Sequence, residues 1–429
     1  MAVSPSEAFL HALARRTFLK LWSVPNAFRA PGKELSDLII VFGDDIVIFS
    51  DKACDFVTEP DLQTGWERWR REAIDGSAKQ LSGALRRLSQ SEAAIFLDAK
   101  GQSVLPFPLP PREQRRFHLV AIARPSQNPT MIPPEWQPLT CVSGPSSRPF
   151  EVEPIKIGDL SVHIFDGEAI DLILHQLDTA PDFLAYLEGR TQALGTSGSY
   201  GFTEQDLLAA SISNWAAGSG LSPAVPPADS VPKGGWAEYQ HSDRAVRSAL
   251  LNKSSRTIDN LIEHFHQTYE AQEFLNGNPP GTLEHEQALR LLAAESRFAR
   301  RMLVAGLYDI LSEKNQSVSW SSTVTSPREP SLRYLWLIYP DPPPSVNPDD
   351  FVQAVDAQLR HQTLVIAGDF APDRMIAIAL PNGKGTENVI IMRVFDSSKW
   401  TEEDRRMARR LKDVGLFGEA VPINYLFRP

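Results

Sequence analysis

Two apolar, β-branched runs, Asp37-Leu38-Ile39-Ile40-Val41-Phe42 and Asp45-Ile46-Val47-Ile48-Phe49-Ser50, meet at Gly43-Asp44, and no other stretch limits the fold as tightly. Strand-forming runs joined by a Gly-Asp dipeptide predict a β-hairpin, because glycine and short Asx residues accept the positive φ of a tight turn. The pairing register then decides which side chains meet. With Gly43 and Asp44 as the turn, Phe42 faces Asp45, Asp37 faces Ser50, and Lys52 lies on the same side as both. With a three-residue turn, 43–45, Asp37 faces Asp51 and the pleat moves Ser50 to the other side. The two-residue turn is the favoured one.

The flanking sequence supplies partners for the hairpin. Phe9, Leu10, Leu13, Phe18, Leu21 and Trp22 recur near helical spacing and predict a helix over 6–22, capped by Ser4 or Ser6 and stopped by Pro25. Residues 55–64 read as a loop, and 66–88 as a long helix bent or divided at Gly76 and Gly83. Segments 93–98 and 117–123 read as strands separated by a proline-rich loop. This order predicts an α/β domain over 1–124 with a small mixed sheet flanked by helices.

Residues 125–216 read as an irregular extension, with a short strand pair around Gly158-Asp159 and helices at 167–177, 181–194 and 203–215. The Gly/Ser/Pro-rich segment 217–240 reads as a linker. Residues 241–429 read as a separate α+β domain. Its expected helices are 254–274, 284–313, 349–360 and 401–411, and its expected strands 317–324, 332–339, 363–367, 374–380 and 389–395, with a hairpin at Asn382-Gly383.

At 429 residues the chain exceeds what one core usually serves. Its net charge of -10 argues against coating nucleic acid by bulk charge, yet the charge is uneven. Residues 1–124 hold 17 Lys/Arg against 15 Asp/Glu (+2), leaving 26 against 38 (-12) for the rest. A polyanion contact therefore belongs in the first part, and the acidic C-terminal domain suits a protein partner or a second copy. No apolar run reaches bilayer length, no secretory signal is legible, and Arg15-Arg16 reads as a solvated helix face, so a soluble cytoplasmic protein without membrane contact is expected. Cys54 and Cys141 are too few for a disulfide framework or a cysteine zinc site.

Glu34, Asp37 and Lys52, followed by a helix bearing Lys79 and Gln80, resemble the core of the PD-(D/E)xK, or restriction-endonuclease-like, nuclease superfamily. The resemblance covers roughly residues 6–124; the longer stretch 32–187, with His163-Ile164-Phe165-Asp166 and Leu177-Asp178, is similar to bacterial proteins and adds no function. It implies Mg²⁺ or Mn²⁺ held by Asp37 with Glu34 or Asp51, Lys52 stabilising charge at the scissile phosphate, and Lys79 or Gln80 beside the site. Hydrolysis of DNA phosphodiester bonds, in defence or repair, follows as the expected activity. The chemistry agrees: a hard cation needs carboxylate oxygens to be held and to activate water, and a cation offsets the developing charge. Glu34 and Asp37 would supply two such oxygens across a helix-to-strand junction.

One residue departs from the pattern. In the favoured register Ser50 occupies the second acidic position and Asp51 points away, so the other expectation is a catalytically inactive nuclease-like scaffold that binds nucleic acid or a protein partner. Trp66-Glu67-Arg68-Trp69-Arg70-Arg71 interleaves indoles with guanidiniums and suits nucleic-acid contact; at helical spacing the indoles face a core and the arginines solvent, which is the preferred reading. Arg112, Arg115 and Arg116 form a second basic cluster able to extend a phosphate-facing surface. In His264-Phe265-His266 the imidazoles are two apart, the wrong spacing for one helix face, so structural roles are expected. The Gly-rich 195–198 and 382–385 lack P-loop spacing and read as turns.

Overall fold

The computed structural model describes residues 5–90, 94–126, 134–195, 198–217, 222–273, 280–311, 318–382 and 389–413. The expected cap Ser4 and Gly383 of the expected Asn382-Gly383 turn lie outside the described residues, and Ser6 lies within the first helix. The chain forms two compact units, Met1–Leu250 with Asp259–Arg297, and Leu251–Ile258 with Phe298–Pro429.

The first unit begins with helix α1 (Pro5–Trp22), kinked at Leu19, where φ is positive. A strand follows directly, β1 (Ser23–Ala30), then β2 (Lys33–Phe42) and β3 (Asp45–Cys54), an antiparallel meander. Glu34 and Asp37 thus both sit on β2, which corrects the expected helix-to-strand junction: the helix stops before Pro25, and the turn at Gly32, with φ +66°, returns the chain as a strand. Phe42 pairs with Asp45 and Leu38 with Phe49, so the turn has two residues, with Gly43 at φ +61°.

A helical run crosses from β3 to the parallel strand β4 (Arg116–Pro125). It comprises α2 (Leu62–Arg70), a π-turn over 71–75 and α3 (Gly76–Leu88). Asp61 caps it, accepting from Thr64 N at 2.9 Å. The extra residue of the π-turn is where the expected bend falls. Trp66 and Trp69 are buried and pack on one another and on Phe56, Trp136 and Phe150, while Arg68 and Arg71 are exposed. Of the expected strand 93–98, residues 94–98 are described and form no regular strand; Phe96 makes isolated bridges to Phe28 and Val104.

Residues 125–216, expected as an irregular extension with short strands and helices, supply several such elements among the described residues. Here β5 (Thr140–Val142), β6 (Glu151–Val152), β7 (Ile155–Ile157), β8 (Leu160–Asp166), α4 (Gly167–Gln176), α5 (Ala180–Leu194), β9 (Gly201–Thr203) and α6 (Glu204–Ala217) follow in order. β8 pairs in parallel with β4 and completes a six-stranded sheet, β1-β2-β3-β4-β8-β7; β6, β5 and β9 form a small second sheet. Parallel pairing over a long connection leaves little local signal, because the partner strand is distant in sequence. Phe49 on β3 faces α1 and α5, where Phe18 and Phe183 pack on it, whereas the next residue, Ser50, faces α3. Burying each of these rings contributes about 1.5–3 kcal/mol.

The expected linker 217–240 contains α7 (Gly235–Gln240), anchored when Asp206 accepts from Gly234 N and Trp236 N, both at 3.1 Å. Next come α8 (Asp243–Ala271), α9 (Thr282–Ala293) and α10 (Arg297–Leu311), so the expected single helix 284–313 is broken at 294–296. Arg297 donates to Asp178 Oδ1 (2.7 Å) and Asp259 Oδ2 (2.8 Å), a buried charge network at that break.

The second unit carries a four-stranded sheet, β10 (Trp320–Thr325), β11 (Leu332–Tyr339), β12 (Arg374–Pro381) and β13 (Ile391–Asp396), with β11 and β12 parallel. Between them lies α11 (Pro348–Phe370), and α12 (Glu402–Asp413) follows. The β-branched run 363–367, expected as a strand, is the last part of α11: Leu359, Thr363 and Ala367 are buried at helical spacing, and packing overrides propensity.

Candidate functional site

Continuing the hairpin register outward from Leu38–Phe49 sets Asp37 opposite Ser50, in the carboxyl-terminal half of β3 and beside that of β4. In sheets with parallel strands and helical crossovers this end is where ligands are usually met. Asp37 is buried (5% exposed) and its two oxygens accept different hydrogen bonds, Oδ2 from Asp51 N (2.6 Å) and Oδ1 from Gln80 Nε2 (3.3 Å). Ser50, with no exposed surface, bonds to Gln80 Oε1 (3.0 Å) and Ser77 Oγ (3.2 Å) on α3. Gln80 therefore bridges Asp37 and Ser50 through its two amide atoms.

The structure brings Asp37, Ser50, Gln80 and Lys52 to one face. Lys52 follows Ser50 by two residues and is half-buried, and its ammonium makes no hydrogen bond or ion pair among the described residues. Lys79, beside Gln80, is exposed. Asp51 goes to the other face, where its fully buried carboxylate accepts from Arg124 Nε at 3.1 Å. Glu34 is exposed at the start of β2, opposite Phe28 and three residues, roughly 10 Å of strand, from Asp37. Among the described residues Asp37, Glu34 and Asp51 do not form a group whose ligand atoms one ion can reach.

The arginines divide similarly. Arg68 and Arg71 are exposed on the helical run, and Arg70 is half-buried with its guanidinium 3.9 Å from Glu153. Arg115 is spent on the fold, donating to the carbonyls of Pro110, Leu88 and Gln90. Arg116 pairs with Asp45 (2.6 Å) at the opposite end of β4 from Asp37, and Arg112 lies in the short turn just before it, exposed.

Behind Asp51 lies a second titratable group that sequence reasoning missed. Asp166 ends β8 and caps α4, accepting from Ala169 N (2.8 Å) and from Leu139 N (2.9 Å). Burial raises its carboxyl above the usual range, and raises Glu168 likewise. Burial pushes Asp171 up to about 7; Arg124 opposes this, and Asp51, Asp166 and Glu168 add to it. The only local signal was the short spacing Asp166-x-Glu168-x-x-Asp171 after a strand; that Asp51 and Arg124 face it is a matter of tertiary pairing. Both cysteine thiols are pushed up to about 11 by burial, which makes them poor nucleophiles at neutral pH.

No family model, no curated protein and no solved structure matches this chain. Among the described residues no helix is long and apolar enough to cross a membrane.

Proposed function

We propose that the first unit is a nuclease-like α/β module that binds nucleic acid without cleaving it, meeting the phosphate backbone at the carboxyl end of β3 and β4. The observation carrying this reading is the state of Asp37: both its oxygens already accept protein hydrogen bonds, and the neighbouring position holds Ser50, itself bonded to Gln80. The Mg²⁺ or Mn²⁺ that the resemblance implies does not fit this donor set. A hard cation held for phosphodiester hydrolysis wants several anionic oxygens, and Asp51 and Glu34 stand elsewhere. What the face does offer is the ammonium of Lys52, which has no hydrogen-bond or ion-pair partner among the described residues, with Lys79 beside Gln80 and the exposed Arg68, Arg71 and Arg86 along the helical run. Such groups bind phosphate by charge and leave sequence unread. The second unit holds 18 Lys/Arg against 16 Asp/Glu, so the excess of carboxylates that suggested a protein partner or a second copy lies instead in residues 125–250 and 259–297 of the first unit.

A second reading is a metal-dependent nuclease acting on DNA in defence or repair. It is favoured by one observation, that Asp37 and Lys52 share a face of the sheet. One experiment separates the two. Fluorescence anisotropy with labelled single- and double-stranded DNA is run beside incubation of plasmid and linear DNA with Mg²⁺ or Mn²⁺. Salt-sensitive binding with intact DNA is expected. Cleavage that disappears in Asp37→Ala and Lys52→Ala would establish the nuclease instead, and absence of binding would remove the nucleic-acid reading altogether.

A further inference from the structure

At the other end of β3 and β4 from Asp37, three side chains come together that the proposed function does not use. Asp45 opens β3 and His118 is the third residue of β4; Asp45 pairs with Arg116 and Val47 with His118. By the alternation of the strands, Asp45, Val47 and His118 lie on the face that carries Phe49. Helix α5, whose Phe183 stacks on Phe49 at 6.1 Å, brings Glu188 to the same corner. One ligand atom from each of Asp45, His118 and Glu188 lies within 4.8 Å of the other two, the one such group of three among the described residues. Asp45 and His118 are buried, 5% and 8% exposed, while Glu188 is exposed.

We propose that Asp45, His118 and Glu188 bind a divalent transition-metal cation, Zn²⁺, with the remaining coordination position open to water or to an oxygen of a ligand. One imidazole with two carboxylates is a donor set that Zn²⁺ accepts, and the two negative charges balance the ion. Both oxygens of Asp45 are engaged, but unlike Asp37 it stands within reach of two further ligand groups, and its bond to His118 is one that a shared metal replaces. Its Oδ2 accepts from Arg116 Nη2 at 2.6 Å, while Oδ1 points at His118 Nε2, 2.9 Å away. Ligand atoms at about 2.0–2.2 Å from a tetrahedral ion stand roughly 3.4 Å apart, so this pair opens by about half an ångström to admit the metal between them. Glu188 closes the third side by a rotamer change, which its exposure permits. Arg116 stays on Oδ2 and orients the ligating carboxylate from outside the coordination sphere.

A second observation points to the same corner. His163 on β8 pairs with Val120 on the same face, is 2% exposed, and its Nδ1 is buried without a hydrogen-bond partner among the described residues. The wall beside the site thus offers a further buried imidazole.

The test uses the full chain, stripped with a chelator, dialysed, and titrated with ZnCl₂ by calorimetry, with Co²⁺ as a spectroscopic probe. One equivalent of Zn²⁺ is expected, with the visible d–d bands of four-coordinate Co²⁺. Affinity falls by about tenfold or more in Glu188→Gln and in His118→Gln. Glu188→Gln alters an exposed side chain, so an unchanged melting temperature without metal shows that its fold is intact. Absence of stoichiometric binding, or an affinity unaltered in Glu188→Gln, overturns the site and leaves His118 as a plain hydrogen-bond partner of Asp45.

Discussion

At Asp37 on β2 and Asp51 on β3, two carboxylates fourteen residues apart, neighbouring strands turn two chemistries to opposite faces of the sheet. Asp37 is held by hydrogen bonds from Asp51 N and Gln80 Nε2, whereas Asp51 is held by the Arg124 guanidinium in a buried pair. Behind that pair, Asp171 has the carboxyl whose protonation falls in the physiological range. Folded, it keeps its proton up to about pH 7; unfolded, it loses it near its ordinary 3.8. The folded state therefore binds more protons within that window, and the contribution to stability is greatest below it and declines as pH rises toward 7. Urea-unfolding midpoints of wild type and Asp171→Asn at about pH 5 and about pH 8 check this. The wild type is expected to lose stability relative to Asp171→Asn at the higher pH, and parallel shifts in the two proteins would count against it.

Among the elements, those specified by their own residues were legible and those specified by distant partners were not. The hairpin was readable because Gly43 sits at a positive φ, and its Cβ-free backbone also lets the Arg290 side chain approach to 3.2 Å of where a Cβ would lie. Gly43→Ala is expected to lower stability by about 1–2 kcal/mol, from the left-handed backbone alone. Equilibrium denaturation measures it, and a neutral substitution would mean that the turn relaxes. The helix with Trp66 and Trp69 was likewise readable from its stripe. By contrast, the run 363–367 carries strand-forming residues yet is helical, because α11 buries Leu359, Thr363 and Ala367 together. Segment 125–216 looked irregular because β8 finds its partner in β4, which no local pattern announces.

Across the molecule, charge is partitioned: the first 124 residues balance at +2 and the remainder at -12. A polyanion is drawn to the former and repelled by the latter, so binding that depends on Arg68, Lys79 and Arg86 acts over a limited surface. Replacing all three with alanine is expected to weaken duplex binding uniformly across sequences and to reduce the log–log salt slope by up to about 2.7, at about 0.9 per phosphate contact. Anisotropy titrations at several salt concentrations give the slope; an unchanged value would place the phosphate contacts elsewhere.

The sequence by itself determined the hairpin, its two-residue turn, the opening helix, the buried indoles and the uneven charge, since each follows from backbone preference or from the spacing of neighbours. Only the tertiary structure decided that Gln80 ties Asp37 to Ser50, that Asp51 turns to Arg124, and that Asp45, His118 and Glu188 share a corner. Those groupings join strands and helices through parallel pairing across long connections, and the residues they bring together are set by how layers pack, which no short stretch of chain encodes.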